Sequence, residues 1–456
     1  MMVRWQGKRS RSLAACVLLL AIGLLASACV PEPPPPVTPI QAPPPPPKPA
    51  WEFDRGFATN GLLRISSPVD VPPDDAGWAN VGDAATLSDG SLVFLAGLEG
   101  AAPQLVRVTS TGVIDTAFKA NVSPHLSDLA GAPALTVTSD DHIVIAGRLG
   151  FCGYVIRRFA SNGTLDTSFG AAGSVPLGDP EACHTAALSV DSTNRIVLLY
   201  YADIPSSGTD RCRAVRINVN GTIDSTWSNA ATNALINIPY AQSVSAFCRQ
   251  TVPLADGRTL IVAGVTVARL NVNGTLDATY DSGGAVITSE SYGDGIKSAA
   301  LVFNDALVIG TDRYDGDQGW RYSLSRLTKN GSIDQTFGLG GRSRIGFGDL
   351  RPDVTMGAPN YDRISRVLPL PAGRLAAIGY STDGIGIVLL DANGNLNTGL
   401  ADAGRLVIKG SELAVPGWSI SFNTAAVAPS GDIYAVITRN DNFSPITIVH
   451  FRLIAS

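Results

Sequence analysis

Beyond residue 50 the hydrophobic positions fall in short runs of four to six, rich in β-branched residues and divided by turn signals, as in AALSV from Ala186, IVLLYY from Ile196 and AVRI from Ala214. Runs of that length bounded by Gly, Asn, Asp and Pro predict β-strands. They precede a turn that recurs along the chain, and a further run such as GSVPL from Gly173 follows it. Four short strands per unit, A to D, make one blade of a β-propeller.

The turn returns at intervals of 51 to 63 residues, as a repeat architecture requires. Its copies are TGVIDTAF ending at Phe118, NGTLDTSF at Phe169, NGTIDSTW at Trp227, NGTLDATY at Tyr280, NGSIDQTF at Phe337 and NGNLNTGL at Leu400. Gly stands three residues before the Asp or Asn, Ile or Leu one before it, and an apolar residue, aromatic in all but the last copy, three after it. Asn-Gly supplies the positive φ of a tight turn, Asp accepts hydrogen bonds from turn amides, and the aromatic buries a large area between packed sheets. These positions are therefore structural. A–B turns near Asp89, Asp141, Thr193, Asp256, Asn304, Ala372 and Ser430 predict an all-β, seven-bladed propeller, six or eight blades being the neighbouring closures.

The two ends of the chain complement each other. Arg107, Arg158, Arg216, Arg269 and Arg326 each stand five residues before the turn Gly, and Arg452 is aligned with them in the last unit, whose turn is missing. WEFDRGF from Trp51 supplies that turn, with Asp54 as the repeated acid and Phe57 as the aromatic. The N-terminal segment is expected to complete the C-terminal blade and leave no free sheet edge. The one unit with Leu389 in place of Arg also has Asn397 in place of Asp. That joint loss predicts an Arg–Asp pair inside each blade, with Arg158 and Asp166 within about 6 Å.

The first fifty residues have another character. Arg4, Lys8, Arg9 and Arg11 precede an apolar run from Leu13 to Ala28, then Cys29. This reads as an export signal over residues 1–28, too short to remain as a membrane span. Leu25, Ala26, Ser27, Ala28 and Cys29 resemble a bacterial lipobox, which implies lipidation of Cys29, and Val30 after it implies the outer membrane; plain cleavage after Ala28 is the rival reading. Residues 29–50 are proline-rich and predict an extended tether at about 3.1 Å per residue, leaving 51–456 as the propeller. Loss of residues 1–28 leaves 30 basic against 39 acidic residues, a balance that argues against nucleic-acid binding.

RLNVNGTLDATYDSGG from Arg269, with strands ending in Ala-Gly at Gly147 and Gly264, resembles the bacterial delta-60 repeat. The resemblance implies a propeller-like domain in exported bacterial proteins, without a common activity or a catalytic residue to carry over. The unit with Asn397 and Leu400 departs most from the pattern.

Without Cys16 and Cys29, four cysteines remain, an even number suited to an oxidising compartment. Cys152 and Cys212 are placed in B–C loops, and Cys183 and Cys248 in the D–A connections after them. Equivalent placement favours Cys152–Cys183 and Cys212–Cys248. The face carrying these connections has the longest loops, with Asp74, Asp75, Trp78, Glu181, His184, Tyr314, Asp315, Asp317, Trp320, Asp353, Tyr361, Asp362, Glu412 and Trp418. Trp78, His184, Tyr314, Trp320, Tyr361 and Trp418 form the candidate ligand face, suited to a glycan or a basic protein surface, with ordinary solvated loops as the bland reading. No G-x-S-x-G, H-E-x-x-H or P-loop is present, and no cofactor, metal or catalytic residue is assigned. The expected function is an envelope-anchored binding or scaffolding propeller, the alternative an enzyme acting on glycans.

Overall fold

The computed structural model describes residues 51–65, 79–98, 102–150, 152–179, 182–202, 211–227, 236–237, 248–281, 283–288, 295–316, 319–347, 360–382, 384–397, 404–413, 420–439 and 446–453. Trp51, Cys183 and His184 are described by backbone alone. The chain starts with β1 (Trp51–Phe53) and β2 (Leu62–Ile65). Blade 1 holds β3 (Ala79–Thr86), β4 (Leu92–Leu98) and β5 (Gln104–Val108), followed by α1 (Thr116–Val122). Blade 2 is β6 (Leu129–Val137), β7 (Ile143–Leu149), β8 (Tyr154–Phe159) and β9 (Ser174–Leu177). Blade 3 is β10 (Ala182–Val190), β11 (Ile196–Ala202), β12 (Arg211–Ile217) and β13 (Ile236–Asn237). Blade 4 is β14 (Cys248–Pro253), β15 (Thr259–Ala263), β16 (Thr266–Leu270) and β17 (Ala285–Ile287). Blade 5 is β18 (Ile296–Leu301), β19 (Leu307–Tyr314), β20 (Gly319–Leu327) and β21 (Arg342–Ile345), with β22 (Asn360–Tyr361) added. Blade 6 is β23 (Arg363–Pro369), β24 (Leu375–Ser381), β25 (Gly384–Leu390) and β26 (Arg405–Lys409). Blade 7 is β27 (Ile420–Val427), β28 (Ile433–Arg439) and β29 (Ile446–Leu453).

Within each blade successive strands pair antiparallel. All seven A–B hairpins turn the same way, with the first residue's amide donating to the carbonyl four residues on, as from Leu87 to Ser91 and from Ala428 to Asp432. This confirms the expected seven blades. The B strands are buried along nearly their whole length, because each blade packs a neighbour on both faces. The apolar core is accordingly seven separate layers between adjacent blades. Tyr154 and Phe169 of blade 2 meet Tyr200 of blade 3 in one of them, and Phe94 of blade 1 meets Tyr434 of blade 7 in the layer that completes the ring.

The ring closes as expected, since β1 and β2 both pair antiparallel with β29 and complete blade 7. The alignment of Arg452 with the repeated arginines is corrected by two residues. Strand pairing sets Tyr434 opposite His450 just as it sets Val144 opposite Arg158, and the Asp54 amide donates to the His450 carbonyl at 3.0 Å as that of Asp166 donates to Arg158. His450 therefore holds the arginine position, and its Nδ1 lies 3.0 Å from Asp54 Oδ2.

Blade 1 departs from four strands. Where other blades run on to strand D, Ala, Lys and Ala in TAFKANV favour helix, and the Asp115 side chain caps α1 by accepting from the Phe118 amide at 2.9 Å. Phe118 and Val122 still fill the layer against blade 2, so the helix conserves the packing.

A register shift of the β-bulge kind interrupts the first strand of every blade a few residues before its A–B turn. Bulges free side chains to bridge blades. Gln250 beside one of them grips the Ala299 backbone of blade 5 through both amide atoms, at 2.9 and 3.0 Å.

Candidate functional site

The repeated polar residues form a clasp between blades and not a site for chemistry. Arg158 Nε lies 2.7 Å from Asp166 Oδ2, and the equivalent pairs Arg216–Asp224, Arg269–Asp277 and Arg326–Asp334 lie at 2.7 to 2.8 Å. Each guanidinium also covers the aromatic ring of its own turn, at 4.5 Å for Phe169 and 5.2 Å for Trp227. In three of the four the other end reaches the next blade, where Arg158 Nη1 donates to the Val219 carbonyl at 2.6 Å, Arg269 Nη1 to that of Lys329 and Arg326 Nη1 to that of Ala392. The turn Asn carbonyl completes the join by accepting from the residue after the previous aromatic, as Asn220 does from Gly170 at 2.9 Å. The acid of each clasp is held ionised. Burial pushes the Asp277 carboxyl up, but hydrogen bonds from Thr279, Arg269 and Arg258 outweigh it and lower its pKa to about 2.

The cysteines lie nearer the strands than expected, because the strands reach further into their loops. Cys212 is the second residue of β12 and Cys248 the first of β14, and they are joined by a disulfide with Cα atoms 5.6 Å apart, stitching blade 3 to blade 4. Cys152 is also disulfide-bonded. Cys183 lies within β10, but its side chain, and with it the expected pairing to Cys152, lies outside the described residues.

Of the candidate ligand face, Trp78 and Trp418 lie outside the described residues, as does the lipidation candidate Cys29, and His184 is described only as part of β10. The other three are brought together. Tyr314 and Trp320 face each other across the β19–β20 hairpin with ring centroids 5.5 Å apart. β22 pairs in parallel with the same end of β20 and sets Tyr361 beside Trp320. The Tyr361 amide donates to Thr382 Oγ1 of blade 6 at 2.8 Å, so the cluster bridges two blades. Tyr314 and Tyr361 are 46% and 54% exposed, unlike the fully buried aromatics of the repeat.

The acids suggested for this face divide. Asp362 is fully buried and accepts from the Phe347 amide at 3.0 Å, a structural role. Asp315 is paired with Arg313 at 3.1 Å. Arg363 and Asp312, 51 residues apart, join the cluster only through the fold. The Arg363 guanidinium lies 5.1 Å from the Trp320 ring, and its Nε is 3.0 Å from Asp312 Oδ2. Asp312 Oδ1 accepts from the Ile364 amide at 2.8 Å, and Lys297 Nζ stands 3.8 Å from Oδ2. Burial raises the Asp312 pKa, with Arg363 and Lys297 opposing it.

A second polar group lies where blades 1, 2, 6 and 7 meet. Asp83, in the bulge of β3, is 3.5 Å from Arg366 Nη2, which also donates to Thr424 Oγ1 at 3.3 Å. Burial raises the Asp83 pKa against Arg366 and a bond from the Leu135 backbone, yet 36% of its side chain is accessible.

A family model described as a domain of unknown function (DUF5122) beta-propeller matches residues 138–169, 254–280 and 306–337. Each match runs from an A–B turn to the repeated aromatic, ending on Phe169, Tyr280 and Phe337. With the seven blades, this makes the chain a β-propeller-like repeat protein. No curated protein sequence matches it. Similar solved structures include a protein of unknown function from Bacteroides caccae, 12% identical over 65% of this chain and 95% of that one at a TM-score of 0.35. Polysaccharide lyase Uly1 is 10% identical over 85% and 95%, at 0.44. An aldose sugar dehydrogenase from Streptomyces coelicolor is 11% identical over 70% and 93%, at 0.39.

Proposed function

We propose that the chain is an exported lipoprotein of the delta-60 repeat type, anchored through Cys29 at the outer membrane, whose propeller binds or scaffolds a component of the cell envelope. The observation that carries the binding role is the cluster of Tyr314, Trp320 and Tyr361, exposed aromatics on a hairpin braced by blade 6. The glycan-enzyme alternative needs an accessible carboxylate of raised pKa on this face. Asp312 has the raised pKa, but it is 3% exposed and both its oxygens are engaged, so it serves to brace the cluster.

In-cell crosslinking and capture of the protein from its own envelope tests this reading, with Cys29→Ser as the unanchored control. A specific partner recovered with the wild type, and lost with a Tyr314→Ala/Tyr361→Ala variant, is expected. Capture unaffected by that variant would reject the aromatic face, and a soluble, unlipidated wild type would reject the anchor.

A further inference from the structure

The geometry points to a carbohydrate platform on the β19–β20 hairpin: Tyr314, Trp320 and Tyr361 stack against the rings of a neutral glycan chain. This rests on the binding reading and names its ligand class.

The three rings come from three separate segments, yet each is held from the backbone or from beneath. Tyr314 and Trp320 are a directly opposed cross-strand pair, and Tyr361 is fixed beside Trp320 by the parallel β22 pairing and by the bond from its amide to Thr382. Trp320 is half-buried, with the Arg363 guanidinium over its ring at 5.1 Å. Arg363 in turn is fixed by Asp312, itself locked by the Ile364 amide. A half-buried indole braced by an arginine, a buried aspartate and a backbone amide is costly to arrange for packing alone. Its effect is to hold an aromatic surface ready, with the Tyr314 and Trp320 planes tilted 59° to each other, so that a ligand binds without ordering it.

The chemistry of the surface selects the ligand. Sugar rings offer polarised C–H groups to the electron-rich faces of aromatic rings and hydroxyls to the polar groups around them. Hydroxyl and charged groups surround these rings, with Thr382 beside Tyr361 and the Arg313–Asp315 pair at the hairpin tip. The nearby charges are paired within the fold, Asp315 with Arg313 and Arg321 and Asp312 with Arg363 and Lys297, which favours hydroxyl recognition over an ionic ligand. An extended peptide adding to the sheet is disfavoured, because β22 already occupies the edge of β20 at Gly319 and Trp320.

Isothermal titration of the soluble Cys29→Ser protein with cellohexaose, mannohexaose, xylohexaose and N-acetylchitohexaose provides the test. At least one is expected to bind, with little change between 0.05 and about 0.5 M salt, since no net ionic contact is involved. Tyr314→Ala and Tyr361→Ala should each weaken that binding about tenfold or more with unchanged Tm, because both side chains are exposed. Arg363→Ala should weaken it too, through the loss of Trp320 positioning, and Arg363→Lys should restore it only in part. Failure of all four sugars, binding indifferent to both tyrosine variants, or binding abolished by salt would each overturn the proposal. If the sugars fail while envelope capture still depends on Tyr314 and Tyr361, the sugar class is wrong and the binding reading stands; if both fail, both are wrong.

Discussion

Arg158 Nε and Asp166 Oδ2 lie 2.7 Å apart, eight residues apart in sequence, with the guanidinium also bonded to the Val219 carbonyl of the next blade. The same arrangement in other blades means that one arginine closes its own turn and fastens the following blade.

Removing one partner should therefore cost more than removing both. Arg158→Ala leaves the half-buried Asp166 carboxylate without its arginine and is expected to cost about 2–3 kcal/mol. Arg158→Leu with Asp166→Asn copies Leu389 and Asn397 of blade 6 and should recover much of that loss. Urea unfolding of the singles and the double gives the coupling directly. Simple additivity would show that the two residues are independent.

The acids of the clasp give an acid-sensitive stability. The folded pKa of Asp277 is about 2 against an ordinary 3.8, so its contribution is complete above pH 3.8 and is lost as pH falls towards 2. The difference is on the order of 2 kcal/mol. An acid titration of wild type against Asp277→Asn should show the variant less stable at pH 5 and the gap closing by pH 2. A gap that stays constant would mean that the carboxylate is not stabilised by the fold.

The closing blade should respond at higher pH. His450 stacks on Tyr434 at 4.4 Å and on Phe57 at 5.0 Å, between Asp54 and, 3.7 Å from Nε2, Asp432. Burial lowers its pKa below 6.5, with Asp54 and Asp432 opposing and Arg452 adding to the fall. The unfolded chain then binds the proton more readily, so stability is complete above pH 6.5 and falls as pH drops below it. His450→Arg installs the residue of the other blades and should flatten urea midpoints between pH 7.5 and 5.5. Persistence of the slope in that variant would place its origin elsewhere.

Two glycines of positive φ separate conformation from contact. A Cβ on Gly150 meets nothing within 4 Å, whereas one on Gly221 would lie 2.3 Å from the Gly170 amide of blade 2. Gly150→Ala is expected to cost about 1–2 kcal/mol, and Gly221→Ala at least about twice that. Equal losses in thermal melts would show that the blade-to-blade approach at Gly221 is not tight.

Reduction should loosen blades 3 and 4. The Cys212–Cys248 bond closes a separation of 36 residues, for which loop entropy gives about 4 kcal/mol. Cys212→Ala/Cys248→Ala should lower the urea midpoint accordingly. Non-reducing peptide mapping should recover Cys212 with Cys248 and Cys152 with Cys183; Cys183 joined to Cys212 would contradict the arrangement.

Much of this architecture was legible before the strands were seen, because repetition multiplies weak local signals. Any single N-G-T-L-D turn is ambiguous, but six copies in one register reveal the blade, and the joint exchange to Leu389 and Asn397 exposes the Arg–Asp pair. At the seam the same logic slipped, since Arg452 imitates the motif while strand pairing gives the place to His450. The ligand face was legible only as residue types in long loops. Nothing in sequence links Asp312 to Arg363, 51 residues away, or Asp83 to Arg366.

What is local and repeated is written along the chain: strand length, turn geometry, blade number and the residues that fasten each blade to the next, all set by backbone preference and apolar periodicity acting over a few residues. Which side chains meet on the ring's face was settled by the folded ring. Those contacts join positions that differ from blade to blade, and their pairing follows from ring closure in three dimensions, for which the chain carries no periodic signal.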